Sequence, residues 1–197
     1  MKKTILLPLI SIILAAAVLL GMSFGLQGLT AKNTQAEHIQ IMQTILPDST
    51  TFVVEPYAGE DANIRSVHKA DNGFVIETVT YGYAGEITML IGVSNEGKVT
   101  GLVVRDMAET FGLGGNALTD HVFLSQFLNG SEFAVAGAEA DAFSGATGSA
   151  EVSDSAVEVD AIAGATVTTK AVIRCVNSAV AYVTGADIES SATSWGG

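Results

Sequence analysis

The sequence predicts an α+β protein: an N-terminal transmembrane helix followed by one extracytoplasmic domain with an antiparallel sheet and flanking helices. Three observations predict it. An uncharged run of 25 residues extends from Ile5 to Leu29, short apolar runs between turn residues recur from Thr51 to Val104, and a long helical periodicity lies near the C-terminus. At 197 residues the chain is long enough to bury a core without disulfides or metals.

At about 1.5 Å of rise per residue, the first run is long enough to cross a hydrocarbon core of roughly 30 Å. Lys2 and Lys3 precede it, so the positive-inside bias places its start in the cytoplasm and residues 31 to 197 outside. A cleaved signal peptide has a shorter apolar region, about 7 to 15 residues, and no cysteine stands at the exit of the run to carry a lipid. The expected organisation is a transmembrane anchor over 1–30, an amphipathic stalk helix over 31–50, the main domain over 51–185 and a flexible tail over 186–197. The expected location is the cell membrane, single-pass.

Within 32–46 the apolar positions Ile39, Met42, Ile45 and Leu46 have helical spacing, and Pro47-Asp48 stops the pattern. Thr51 to Val54, Ile64 to Lys69 and Gly73 to Val79 read as strands. Glu86 to Val93 and Val99 to Val104 flank Asn95-Glu96-Gly97, which predicts a β-hairpin whose glycine takes a positive φ. Asp120 to Leu128 reads as a helix stopped by Asn129-Gly130. Residues 134–160 are mostly small or acidic and give no periodic signal. Thr168 to Val183 is the clearest helix, with Val172, Val176, Ala179 and Val183 on one stripe and Thr184-Gly185 at its end.

Composition removes several functions. The net charge is −12, and all twenty-one acidic residues follow the first apolar run, against seven of the nine basic ones, so nucleic acid is not an expected partner. Cys175 is the only cysteine, which excludes an intramolecular disulfide and a thiolate metal cluster, and its apolar neighbours suggest a buried helix residue. His38, His68 and His121 lack ligand spacing, and no metal site is expected.

The chemistry concentrates at Asp160-Ala-Ile-Ala-Gly-Ala-Thr166, immediately before the last helix. Gly164 and Ala165 permit a tight turn, and the threonines after them suit a helix start. Thr166 is thereby presented where free amides and the helix dipole favour a phosphate. Taken alone, the same residues describe an ordinary capped helix.

These residues, with Gly82-Tyr83-Ala84-Gly85-Glu86-Ile87 and Glu109-Thr110-Phe111-Gly112-Leu113-Gly114, resemble the FMN-binding domain family that contains the G subunit of the Rnf electron-transport complex and the C subunit of the sodium-pumping NADH:quinone reductase. The resemblance extends over most of residues 73–183. It implies an FMN-binding domain carrying FMN through a phosphoester on the last threonine of an Asp-x-x-Ser/Thr-Gly-Ala-Thr motif. The matching residues are Asp160, Gly164, Ala165 and Thr166, with Thr168 and Thr169 following. It further implies that Glu86, Thr110 and Leu113 lie near the flavin. Ala163 stands where the family has Ser or Thr, and Phe111 where it has Pro. A near copy, Asp141-Ala-Phe-Ser-Gly-Ala-Thr147, carries the favoured Ser144 but precedes no apolar periodicity, so the attachment falls to Thr166 with Thr147 as the alternative.

The partners implied are the other membrane subunits of a redox complex and, for maturation, an FAD-dependent flavin transferase. The resulting expectation is a relay subunit of an ion-translocating Rnf-type oxidoreductase with no substrate chemistry of its own. The alternatives are a stand-alone extracytoplasmic flavoprotein electron carrier, and a non-redox anchored binding or scaffold module in which Thr166 merely begins a helix.

Overall fold

A computed structural model of the chain describes residues 17, 37–110, 112–136 and 156–186. The chain divides into two units, Met1–Ile41 and Met42–Gly197. Among the described residues no helix is long and apolar enough to cross a membrane. This corrects the expectation of a transmembrane anchor, a membrane-anchored chain and a single-pass location. The longest described helix carries Lys170, Arg174 and Asn177 among its apolar residues. The run expected to span, 5–29, lies outside the described residues except for Ala17.

Residues 37–45 are helical (α1). The expected amphipathic pattern is realised at its C-terminal end, where Met42, Ile45 and Leu46 are buried, while Ile39 is exposed. Five strands follow: β1 (Val53–Glu55), β2 (Ile64–Lys69), β3 (Gly73–Tyr81), β4 (Glu86–Ser94) and β5 (Val99–Met107). They form the expected antiparallel sheet, in the order β1-β2-β3-β4-β5. The hairpin between β4 and β5 closes as its sequence predicts, with Gly97 at φ 78° and its amide donating to Ser94 O at 2.9 Å.

Along β4 side chains alternate between faces. Ile87, Met89, Ile91 and Val93 join the main core, which also takes in Val172, Cys175, Val176 and Ala179 of the last helix, α4 (Thr166–Thr184). Leu90 is buried on the other face. There Gly92 and Gly101 are cross-strand partners, and a Cβ on either would meet the Ile45 backbone. The glycine pair therefore allows residues 42–46 to lie directly on the sheet, where the Thr100 hydroxyl donates to Ile45 O at 2.7 Å.

Between β5 and α4 the structure departs from the sequence reading. Two short helices, α2 (Gly114–Thr119) and α3 (His121–Ser125), replace the single helix expected over 120–128. Asp120 separates them in extended conformation, its carboxylate accepting from Val122 N at 2.8 Å. Helix α2 opens on Gly114-Gly115, poor helix formers, and is held by burial of Ala117 and Leu118. Parts of the unpatterned 134–160 segment are ordered as well: β6 (Phe133–Val135) and β7 (Val157–Val159) pair in parallel. Asn177 of α4 clamps this pair, its side chain accepting from Phe133 N at 3.1 Å and donating to Phe133 O at 2.9 Å.

Candidate functional site

The first residue of α4 is Thr166, and the position before it, Ala165, has no side chain able to cap the helix. The first intrahelical bond runs from Thr169 N to Ala165 O at 2.8 Å. Hence the amides of Thr166, Val167 and Thr168 lack an intrahelical acceptor by the geometry of a helix start. The expectation that a threonine caps this helix is therefore replaced by an uncapped end. The chain enters it through a turn closed by Ala165 N on Ile162 O at 2.9 Å, with Gly164 at φ 79°. A side chain at Gly164 would be strained by that backbone and would press on Leu113.

Two further loops meet this turn. One follows β5 and brings Glu109, Thr110, Leu113 and Gly114. The other joins β3 to β4, is closed by Gly82 N on Gly85 O at 2.8 Å, and brings Tyr83. Together with Gly164, Ala165, Thr166, Val167 and Thr168 they line a cleft of about 360 Å³. Thr166 is exposed. Tyr83, Leu113 and Val167 are exposed apolar residues of the lining. No Lys, Arg or His is among the lining residues, so an anion here depends on backbone amides and the helix dipole.

The cleft holds two polar atoms in need of partners. Thr168 is 1% exposed and its Oγ1 is buried without a hydrogen bond; Oε2 of Glu109 is in the same condition. Both abut Gly114, where an added Cβ would collide with each. The other carboxylate oxygen of Glu109 accepts from Ala84 N at 3.4 Å, which ties the two loops together. An unsatisfied buried polar group costs about 1–3 kcal/mol.

Of the residues the sequence singled out, Thr166, Gly164, Ala165, Thr168, Thr110 and Leu113 converge on the cleft. Thr169 does not line it; its hydroxyl donates to Ala165 O at 3.0 Å inside the helix. Asp160 is exposed, outside the lining, and its amide donates to Gln126 Oε1 at 2.8 Å. Glu86 lies outside it too, in an exposed ion pair with Arg65 at 3.0 Å. Thr147 lies outside the described residues, as does Phe111. Glu109, Tyr83, Gly114 and Val167 are the lining residues that sequence reasoning left unassigned, although the first three stand within the motif segments it quoted.

A family model described as FMN-binding domain matches residues 82–181, which include every residue lining the cleft. The chain belongs to the FMN-binding domain family. Among relatives of this domain, the G subunit of an ion-translocating oxidoreductase complex from Methanosarcina acetivorans is 30% identical over 192 residues, covering 91% of this chain and 93% of that protein. The G subunit of the Na(+)-translocating ferredoxin:NAD(+) oxidoreductase complex from Acetobacterium woodii is 36% identical over 109 residues, covering 55% of this chain and 47% of the relative. The chain thus spans nearly the whole of the first relative and about half of the second. The crystal structure of NqrC from Shewanella oneidensis is a distant likeness, with a TM-score of 0.43 and 20% identity, covering 71% of each chain. The protein is a flavin-binding-domain chain related to subunits of electron-transfer complexes.

The cleft suits the FMN that the family implies. Uncapped amides accommodate a phosphate, Gly164 makes the turn that leads into them, and two buried oxygens of the lining lack hydrogen-bond partners.

Proposed function

We propose that this chain is an electron-transfer flavoprotein that carries FMN in the cleft, its phosphate esterified to Thr166 Oγ1. It works with the other subunits of an ion-translocating oxidoreductase complex of the kind its relatives are named for. One observation carries the reading: an exposed threonine opens an uncapped helix in a cleft lined wholly by residues of the family's matched span.

Bound FMN supplies one- and two-electron redox chemistry. The chain's own residues hold and orient it. The amides of Thr166, Val167 and Thr168 donate to the phosphate in the favourable field of the α4 N-terminus. Gly164 turns the backbone so that Thr166 presents its hydroxyl. Tyr83, Leu113 and Val167 offer apolar surface to the ring system, and Thr110 a polar edge. The ester bond forms when the Thr166 hydroxyl loses its proton and Oγ1 replaces the adenylate side of the FAD pyrophosphate, releasing AMP. A separate flavin transferase catalyses that exchange. The covalent tether prevents cofactor loss during turnover.

The test is the intact mass of the chain matured with an active flavin transferase and FAD, together with flavin fluorescence in a denaturing gel. Wild type gains the mass of one FMN, Thr147→Ala keeps it and Thr166→Ala loses it. A wild-type chain with no added mass refutes the proposal and leaves the scaffold reading. Retention of the flavin in Thr166→Ala refutes the attachment site. Co-purification with the complex's other subunits separates a resident subunit from a stand-alone carrier.

A further inference from the structure

We infer that Glu109 and Thr168 form an acceptor and donor pair that grips the hydroxyl-bearing chain of the flavin nucleotide, between its phosphate and its ring. The inference rests on the reading of the cleft as the FMN site and adds two positioning residues to it.

The two oxygens come from different elements, Glu109 from the loop after β5 and Thr168 from the first turn of α4, and meet at Gly114. Neither Glu109 Oε2 nor Thr168 Oγ1 has a hydrogen-bond partner, and neither is reached by solvent. Each is therefore left with a hydrogen-bonding capacity that a ligand in the cleft can meet. Their chemistry selects which part of the ligand that is. An ionised carboxylate only accepts hydrogen bonds, so Oε2 needs a donor, and a phosphate beside it would be repelled. The Thr168 hydroxyl donates as well as accepts. The pair is thus matched to neutral hydroxyl groups.

Position narrows the choice further. Thr168 lies two residues beyond the hydroxyl that carries the phosphate, in the same helical turn. The part of FMN next to its phosphate is the ribityl chain, whose hydroxyls both donate and accept. The donor on the ring lies at the far end of the molecule. Gly114 is required because any side chain there would collide with both oxygens and push them apart.

The experiment measures thermal unfolding of the full chain before and after loading with FMN, the loading being read by intact mass. Two substitutions divide the pair. Glu109→Gln preserves the acceptor for Ala84 N while turning the inward acceptor into a donor, and Thr168→Val removes the hydroxyl at constant shape. In the unloaded state Thr168→Val melts at or above the wild-type temperature, because it removes a buried polar atom that lacks a partner, and Glu109→Gln, which keeps a polar group in the same place, melts close to it. On loading, the rise in melting temperature is smaller than in wild type by about 2–4 °C in Thr168→Val, which loses a hydrogen bond, and by less in Glu109→Gln, which exchanges a charge-assisted hydrogen bond for a neutral one. Wild type loaded from an FAD analogue with a deoxygenated ribityl chain shows the same shortfall, and the substitutions then add nothing to it. Equal loading increments in wild type and both variants overturn the pairing while leaving the FMN site intact. A substitution that lowers the melting temperature equally with and without flavin overturns it too, since that marks a purely structural role. A wild-type chain that takes up no flavin sinks the site itself.

Discussion

The two ends of α4 are built in opposite ways. At the C-terminus Gly185 adopts φ 70° and its amide returns to Ala181 O at 2.8 Å, while the Thr184 hydroxyl donates to Val180 O at 3.1 Å, so these two carbonyls of the closing turn are met locally. At the N-terminus Ala165 offers no cap, Thr166 is exposed, the Thr168 hydroxyl has no partner, and the Thr169 hydroxyl donates to a carbonyl, so that the first amides are left free. An end finished by its own backbone needs only a helix stop. An end left open inside a cleft has donors to spend on a ligand. Between them the helix body is plain core, with Val172, Cys175, Val176 and Ala179 fully buried against the sheet.

Substitutions at the two ends test that contrast. The largest effect belongs to Thr166→Ala, which abolishes flavin attachment yet leaves the unloaded chain within about 0.5 kcal/mol of wild type in urea unfolding, as expected of an exposed residue. A comparable loss of stability in the unloaded chain would mean that Thr166 is structural after all. Next comes Gly164→Val. The left-handed backbone costs a branched residue about 1–2 kcal/mol, and contact with Leu113 adds to it, so both melting temperature and flavin occupancy fall.

Gly185→Ala is milder. Nothing lies within 4 Å of an added Cβ, so only the backbone conformation costs, about 1 kcal/mol, with flavin mass unchanged. A fall in occupancy here would erase the distinction between the ends. The smallest effect near neutral pH is in the helix body. Burial pushes the Cys175 thiol up to about 12, outweighing the nearby Thr78 hydroxyl and the charge of Arg174 that pull it down. A thiol reagent at pH 8 therefore labels the chain only after denaturant unfolds it. Because the folded value is raised from the ordinary 9.0, this residue's contribution to stability is intact below about pH 9 and is lost as pH climbs toward 12. Denaturation midpoints across that range follow the loss, and Cys175→Ala flattens it.

Much of the architecture was legible in the residues because it is local. Alternation along β3, the apolar runs of β4 and β5, the glycine in the hairpin turn and the apolar stripe of α4 are each written in a single stretch of chain, and the five-stranded meander needs only neighbours to pair. The same holds for Gly164 and Thr166, whose roles arise from a turn and a helix start contiguous in the chain. What tertiary structure decided was the company these residues keep. Tyr83 and Glu109 reach Thr168 across the sheet's loops, over sequence separations that no periodicity records. Glu86 is drawn off to Arg65, and Thr169 is consumed by its own helix. Helix α2 and the short β6–β7 pair are likewise products of packing, since a Gly-Gly start and three-residue strands carry too little local preference to announce themselves. Propensity is a property of neighbours in the chain, whereas a binding cleft is made where distant loops meet, and only the folded sheet brings those loops to one edge.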